Sequence, residues 1–159
     1  MRPEVRPMAD EDKPAVIQML RNIPEFKPAE IDIAEEVIDS YLGDPIQSGY
    51  HIFVAESGPS IVGYICYGPT PLTEGTWDIY WLAVAPDKQS QGIGKTLLNF
   101  ADGNIKEKKG RLTLIETSSK PEYETTRIFY RAQGYEMACR IADFYAPGDD
   151  KLVFQKRLR

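Results

Sequence analysis

The order of helical and strand patterns along the 159-residue chain predicts a mixed α+β domain. Two helical patterns come first, and a hairpin, a strand, a helix, a strand, a helix and a second hairpin follow. The central strand, helix and strand form one βαβ unit, whose two strands are expected to run parallel. At 18.0 kDa, the chain is expected to fold as a single domain that comprises residues 1–159.

Apolar residues at helical spacing predict two helices in the amino-terminal part of the chain. The first covers Asp10 to Asn22, where acidic residues precede the apolar face and Pro14 suits a first turn. The second runs from Pro28 to Leu42 and ends at Gly43, a residue type that commonly follows a helix. Both helices therefore precede the first long strand.

β-Branched and aromatic runs, separated by turn residues, predict the strands. These runs cover residues 51–56, 61–67, 77–85, 111–117, 136–145 and 151–157. Two further helices lie between them, one that begins in the turn Gln89 to Lys95 and one over Glu124 to Gln133. The strands therefore alternate with helices in the middle of the chain and form hairpins on either side.

Composition and charge exclude several classes of protein. The net charge of −5 and the isoelectric point near 5.0 argue against a broad nucleic-acid surface. No apolar run approaches the roughly 20 residues of a membrane helix, and no secretion signal is evident at the amino terminus. Cys66 and Cys139 have no metal-ligand spacing and are expected to be packed and inert. We therefore expect a cytoplasmic protein without a metal.

The most informative segment is an apolar strand that runs into a glycine-containing turn and then a helix. Gly92 and Gly94 leave the backbone of this turn open, and the first N–H groups of the helix carry the positive end of its dipole. This arrangement predicts a phosphate site. A nucleotide P-loop is excluded because that motif needs a glycine five residues before Gly94, where the chain has Gln89.

The spacing Gln89-x-x-Gly92-x-Gly94 resembles the pyrophosphate-binding motif of the GCN5-related N-acetyltransferase (GNAT) family. The apolar strand before the motif and the aromatic and glycine pattern of residues 129–135 also match the family in order and spacing. The likeness extends over essentially the whole chain. It implies a single N-acetyltransferase domain, with a mostly antiparallel twisted sheet that splays between its fourth and fifth strands and is flanked by about four helices.

The same resemblance implies that acetyl-CoA is the cosubstrate. Its pyrophosphate would lie on backbone N–H groups of the glycine turn, and its pantetheine arm would pair with the preceding strand as an added strand does. The predicted cofactor-binding residues are Leu82, Val84, Gln89, Gln91, Gly92, Ile93, Gly94, Lys95 and Thr96. No metal is implied.

Amine acetylation requires an acid and a base. An ammonium with a pKa of about 10.4 must lose a proton before the amine attacks a thioester, and the leaving thiolate benefits from a proton donor. Tyr130 aligns with the tyrosine that donates to the coenzyme A sulfur in many GNAT relatives. The resemblance therefore assigns Tyr130 as the general acid.

Two carboxylates are candidates for the base. Asp78 lies in the strand before the glycine turn, where alternation puts it with Tyr80, Leu82 and Val84 on the face opposite the tryptophans of that strand. Glu116, near the end of the neighbouring strand, is the alternative. We favour Asp78, although either carboxylate can instead bind the ammonium, act through a water or form a structural ion pair.

The acceptor is expected to bind under two polar, aromatic loops, residues 69–76 and 143–151. The candidate substrate-binding residues are Glu74, Tyr80, Asp143 and Tyr145. With the two carboxylates, these loops form an acidic rim that suits the primary amine of a small molecule, which attacks the thioester directly. A peptide acceptor and a non-catalytic acyl-CoA-binding module stay open as alternatives, and so does a homodimer through the last strands.

The chain departs from the family pattern at two positions of the segment before Tyr130. Tyr123 and Thr126 occupy positions where the family usually has asparagine and alanine. Ser118 or Ser119 is a candidate to replace the cofactor contact of the missing asparagine. The single histidine, His51, lies at the start of a strand and is expected to be at the surface or packed rather than catalytic.

Overall fold

A computed structural model describes residues 2–158. The described residues form one seven-stranded sheet in the order β1-β2-β3-β4-β5-β7-β6. The strands are β1 (Glu4–Pro7), β2 (His51–Ser57), β3 (Ser60–Pro69), β4 (Thr76–Val84), β5 (Leu112–Ser118), β6 (Glu136–Ala146) and β7 (Asp149–Arg157). The α-helices are α1 (Lys13–Arg21), α2 (Pro28–Gly43), α3 (Ile93–Glu107) and α4 (Glu124–Ala132).

All neighbouring strands pair antiparallel except β4 and β5, which pair parallel across α3 as the predicted βαβ unit requires. The α+β fold class is therefore confirmed. Two details differ from the prediction. Residues 4–7 form a short first strand that the sequence pattern missed, and Asp10–Asp12 form a 3-10 turn ahead of α1.

Helices cover both faces of the sheet and enclose two cores. On one face, here the α1/α2 face, α1 and α2 bury apolar residues against β2 and β3. On the other, the α3/α4 face, α3 and α4 bury a second set against β3, β4, β5 and β7. The central strands are thus covered on both faces, which explains their nearly continuous apolar sequences.

The sheet splays between β4 and β5, as predicted. Within the described residues, the two strands pair from Thr76 with Leu112 to Ile79 with Ile115, and no pairing follows beyond that point. Residues 80–84 of β4 therefore leave one edge without a ladder partner on the β5 side. An extended ligand can add to this edge as a strand would.

A β-bulge lies at the point where the strands separate. On β3, Cys66 is opposite Trp81 and the next residue, Tyr67, is opposite Ile79, so Tyr80 is the extra residue of β4. A bulge residue is unpaired and shifts the alternation of side chains along its strand. The faces of β4 are therefore exchanged on either side of Tyr80.

This shift corrects the predicted orientation of Asp78. Ile79 packs into the α3/α4 core, which places Asp78 on the α1/α2 face. Beyond the bulge, Leu82 and Val84 pack against the α3/α4 core, whereas Trp81 packs against the α1/α2 core. Asp78 therefore shares its face with Trp81, and the prediction that it shares a face with Leu82 and Val84 was wrong.

The two cysteines differ in environment. Cys66 is fully buried in the α1/α2 core, as expected, but Cys139 is exposed on β6. The expectation that both thiols are packed was therefore wrong for Cys139, because β6 is an edge strand that no helix covers. Among residues 2–158, no group of three or more His, Cys, Asp or Glu side chains is arranged to hold a metal, and no helix is long and apolar enough to cross a membrane.

Candidate cofactor and acceptor site

The two glycines of the turn before α3 are required for different reasons. Gly92 caps the helix in the left-handed conformation, with a φ of 83°, and a Cβ there would meet nothing within 4 Å. Its backbone conformation therefore requires glycine. At Gly94 a Cβ would lie 3.2 Å from Cζ of Phe129 and 3.7 Å from Val84, so the close approach of α4 and β4 requires a small residue.

The first turn of α3 presents free backbone donors. The Thr96 N–H donates to the Gly92 carbonyl oxygen at 3.0 Å, which is the first helical hydrogen bond. The N–H groups of residues 92–95 precede it and have no intrahelical acceptor. The Ile93 side chain is buried, so this residue offers only its backbone to a ligand. Four amides and the positive end of the helix dipole therefore lie together at the start of α3.

A cleft of about 420 Å³ lies against this turn, with Gln91, Gly92, Lys95 and Thr96 on its helix side. Gln89, the first residue of the motif, donates from Nε2 to the Val84 carbonyl oxygen at 3.4 Å. Eight of the nine residues predicted to bind the cofactor therefore lie in the turn, the adjoining helix or the end of β4, and Leu82 lies on the unpaired segment of that strand.

Tyr130 lies in the last turns of α4 with its ring in the α3/α4 core. Its ring packs against Tyr135 and Phe154, with centroids 6.2 and 6.0 Å away, and against Phe129 at 5.9 Å. Burial raises the pKa of the Tyr130 hydroxyl above the usual range of tyrosine. The hydroxyl therefore keeps its proton at neutral pH.

Asp78 and Tyr80 lie together on β4 at the splay. The Thr70 hydroxyl donates to Oδ2 of Asp78 at 2.6 Å. Burial and the negative charge of Asp78 raise the pKa of Tyr80 to about 12. The Tyr80 ring meets Tyr50 edge-on at 5.6 Å. A carboxylate and two phenol rings therefore flank the position where β4 and β5 separate.

Glu116 lies directly beyond the last paired residue of β5, on the opposite side of the splay. The Glu116 side chain is half exposed, and its Oε1 forms an ion pair with Nζ of Lys151 at 2.9 Å. The same ammonium lies 4.5 Å from the ring centroid of Phe144. Burial, and then the charges of Glu116 and other carboxylates, raises the pKa of Tyr145. The structure thus brings Glu116 and Tyr145 together.

Of two further predicted acceptor residues, Glu74 lies away from the splay and the side chain of Asp143 has a structural role. The Glu74 carbonyl oxygen accepts a hydrogen bond from Nε of Arg111 at 2.7 Å. This contact lies before the start of β4, and the start of β4 is itself about 13 Å along the strand from Tyr80. Asp143 has a φ of 55°, and its carboxylate accepts from the Gly148 N–H at 2.8 Å. The structure does not bring Glu74 to the splay, because its loop turns back toward β5, and it uses the Asp143 carboxylate to shape the β6–β7 hairpin.

The loop between α1 and α2 closes over the splay on the α1/α2 face, which the sequence did not predict. Phe26 of this loop meets Trp81 edge-on at 5.8 Å. The Tyr123 hydroxyl donates to the Glu25 carbonyl at 3.0 Å. The loop is thereby tied to β4 on one side and to the start of α4 on the other. Tyr123, the departure from the family pattern, therefore anchors this loop.

The two serines considered as replacements for the family asparagine are already engaged. The Ser118 hydroxyl forms a short hydrogen bond to Oδ1 of Asp149. The Ser119 hydroxyl accepts from the Asp150 N–H at 2.8 Å. Both side chains hold the β6–β7 hairpin against the end of β5.

The family follows from a comparison with known proteins. The family model described as "Acetyltransferase (GNAT) domain" matches residues 48–137, which is more than half of the chain and includes the glycine turn and all of α4. The chain belongs to the GNAT family. This GNAT protein is therefore an acetyl-CoA-dependent N-acetyltransferase. No curated protein matched the chain.

Solved structures support the assignment of this chain to the GNAT family. A protein from Desulfovibrio desulfuricans assigned to the GNAT acetyltransferases is 36% identical, with 99% of each chain covered and a TM-score of 0.95. The ribosomal-protein-S18-alanine N-acetyltransferase from Escherichia coli is 16% identical, over 98% of this chain and 94% of that one, with a TM-score of 0.78. An aminoglycoside 6'-N-acetyltransferase complexed with coenzyme A is 16% identical, over 98% and 97%, with a TM-score of 0.76. The last two structures are similar to this chain in fold alone.

The residues at the glycine turn fit the cosubstrate of the family. The free amides of residues 92–95 suit a diphosphate, and the unpaired edge of β4 suits the amide groups of a pantetheine arm. Lys95 lines the cleft and adds positive charge. When bound, acetyl-CoA supplies an activated acetyl thioester.

Proposed function

We propose that this GNAT protein transfers the acetyl group of acetyl-CoA to the primary amine of a small-molecule acceptor, by direct attack of the amine on the thioester. The observation that carries the proposal is the group of acidic and phenolic side chains at the splay, beneath the closed loop between α1 and α2. Relatives of known acceptor include a ribosomal-protein and an aminoglycoside N-acetyltransferase, so the family alone leaves the acceptor class open.

The charge at the splay supports a cationic acceptor. Asp78 and Glu116 lie on neighbouring strands on either side of the gap, with the phenols of Tyr80 and Tyr145 beside them. Carboxylates attract an ammonium, and aromatic rings add cation–π attraction. These side chains suit recognition of an amine before it loses its proton.

The loop between α1 and α2 supports a small acceptor over a peptide. Its contacts with Trp81 and through Tyr123 tie it to both sides of the splay. A peptide needs an open groove that runs past the reactive amine, and a loop tied at both ends narrows that path. Opening the loop would break both contacts.

We assign Asp78 as the base and Tyr130 as the acid. Oδ2 of Asp78 already accepts a hydrogen bond from Thr70, which orients the carboxylate for taking a proton at its other oxygen. Tyr130 Oη keeps its proton at neutral pH and can give it to the leaving sulfur. Glu116, held by Lys151, is assigned to binding the acceptor ammonium.

An acetylation screen that measures free thiol release tests the acceptor class. We expect turnover with small primary amines, such as diamines, amino acids or aminoglycosides, and little with peptides that carry free amino termini. Turnover confined to peptides would contradict the small-molecule proposal. No turnover with any acceptor, despite tight binding of acetyl-CoA, would favour a non-catalytic binding module.

Two isosteric substitutions then test the roles of the carboxylates. Asp78→Asn keeps the acceptor for the Thr70 hydroxyl but removes the base, so kcat is expected to fall by about 10² or more. Glu116→Gln removes an exposed charge, so the acceptor KM is expected to rise with kcat largely retained. The reverse pattern would assign the base to Glu116.

Tyr130→Phe tests the acid in the same assay. We expect kcat to fall by about 10² with the affinity for acetyl-CoA unchanged, because the ring packing is kept and the proton is lost. Unchanged kcat would leave Tyr130 a purely structural residue.

The cytoplasmic location and the lack of nucleic-acid binding stay predictions.

A further inference from the structure

The cleft at the glycine turn extends beyond the free amides of α3. Besides the turn, it is lined by Asn99, which lies on the same helical face as Gly92 and Thr96. From Thr96 to Asn99 is nearly one helical turn, or about 5 Å along the axis. The cleft is therefore larger than a diphosphate held at the amides requires, and its outer part is available to another group of the same ligand.

The same cleft is also lined by the segment before β1, with Arg2 and Pro3. This segment is held in place by the strand that follows it. Glu4 pairs with Glu56 of β2, and Val5 packs against the α3/α4 core. Arg2 is thus two residues from a fixed register, and it lines the same cleft as the start of α3.

Three cations lie around the glycine turn. Arg2 and Lys95 line the cleft, and Lys88 lines an adjoining one of about 120 Å³ that shares Pro3 and Gln91 with it. Within residues 2–158, none of the three cations forms an ion pair, although the chain carries a net charge of −5. No acidic residue lines either cleft. Unpaired cations in an acidic protein indicate an anionic ligand.

Acetyl-CoA carries one phosphate more than the diphosphate, on the 3' position of its adenosine. The amides of α3 account for the diphosphate, whereas Arg2, which lines the same cleft, has no assigned partner. A guanidinium is suited to phosphate because its planar donors match two phosphate oxygens. We propose that Arg2 binds the 3'-phosphate of acetyl-CoA. The proposal rests on acetyl-CoA being the cosubstrate, and it assigns a binding residue outside the glycine motif.

Calorimetric titration with acetyl-CoA and with 3'-dephospho-acetyl-CoA tests this assignment without knowledge of the acceptor. For Arg2→Ala, we expect the Kd for acetyl-CoA to rise roughly tenfold and the Kd for the dephospho form to stay unchanged. The wild-type protein is expected to bind the dephospho form about as weakly as the variant binds acetyl-CoA. Arg21→Ala, which removes an exposed arginine at the end of α1, is the matched control and is expected to change neither Kd.

Three results would overturn the proposal, each for a different reason. An unchanged Kd for acetyl-CoA in Arg2→Ala would mean that Arg2 contacts no phosphate. An equal loss for both ligands would assign Arg2 to the diphosphate. If the wild-type protein bound neither ligand, the cosubstrate itself would be wrong and the proposed function would fail with it.

Discussion

At the scale of single residues, the clearest constraint is backbone conformation at the start of α3. Gly92 is in the left-handed region, with open space where a Cβ would stand, whereas Gly103 lies inside the same helix with equally open space and no positive φ. The two positions differ in conformation rather than in packing. They form a matched pair for substitution by alanine.

We expect Gly92→Ala to lower the free energy of unfolding by about 1 kcal/mol, because an L-residue is strained there. Gly103→Ala is expected to raise it by about 0.5–1 kcal/mol, because alanine is the better helix former. Urea unfolding of both variants measures these values. The same sign of change for both variants would contradict the conformational explanation.

His51 predicts a pH dependence of stability. Its ring stacks on Tyr67 at 5.4 Å and lies 5.3 Å from Trp77, and burial, with a smaller contribution from Lys108, lowers its pKa below 6.5. The unfolded chain therefore binds the proton first, and the free energy of unfolding should fall as pH drops through 6.5 and then level off. Urea unfolding at several pH values measures this slope. His51→Phe should abolish it, and an equal slope in that variant would assign it to other groups.

At the scale of elements, β1 is fixed by one charged cluster. Nη1 and Nη2 of Arg6 bind both oxygens of Asp12, at 2.7 and 2.9 Å, and Nη2 also contacts Glu56 of β2 at 3.0 Å. Asp12 is almost fully buried, and its carboxylate also accepts from the Ala9 N–H at 2.8 Å. Arg6 thus ties the first strand to the 3-10 turn and to the sheet.

Arg6→Met is expected to lower the free energy of unfolding by about 2 kcal/mol, because it leaves the Asp12 carboxylate buried without its cation. The exposed pair of Lys13 with Asp39 provides a control, and Lys13→Met should change stability very little. Chemical denaturation of the two variants compares them directly. Equal losses would mean that burial of the carboxylate is not what makes the Arg6 pair important.

The elements themselves could be predicted from the sequence, whereas the β-bulge could not. Glycine and proline bounded the strands and helices, and the periodicity of residues such as Leu97, Leu98 and Ala101 defined α3. The strand around Tyr80 is apolar on both faces, so a shift of one residue leaves no trace in its pattern. The orientation of Asp78 depended on that shift and was therefore mispredicted.

Contacts between segments that are distant in the chain could likewise not be predicted from the sequence. The glycine turn before α3 is local, and its motif predicted it because its residues are consecutive in the chain. The proposed acceptor side depends on two contacts, one between Phe26 and Trp81 and one between Tyr123 and Glu25, whose partners are about 55 and 98 residues apart. The resemblance to the GNAT family supplied the fold, but it identified neither of these contacts.

At the scale of the whole molecule, β6 has no partner on its outer edge among the strands that residues 2–158 form. All eleven of its residues are exposed in the single chain, including Met137, Ile141, Phe144 and Tyr145. An exposed edge strand with apolar side chains is prone to pair with another chain. This supports the expectation of a homodimer through the last strands.

Light scattering after size exclusion tests the dimer, with Ile141→Lys as the disrupting variant. We expect the wild-type chain to elute as a dimer and the variant as a monomer, because the lysine places a charge within the apolar strand. Ile33→Lys, on an exposed face of α2, is the control and should leave the dimer intact. A monomeric wild-type protein at micromolar concentration would contradict this expectation.

The contrast between the two cysteines offers a reporter for that surface. Burial shields Cys66 and raises the pKa of its thiol, whereas Cys139 lies open on β6. A maleimide or spin label should therefore modify the native protein at one place without any engineered cysteine. The rate of that modification, followed against protein concentration, measures how often the edge of the sheet is free in solution.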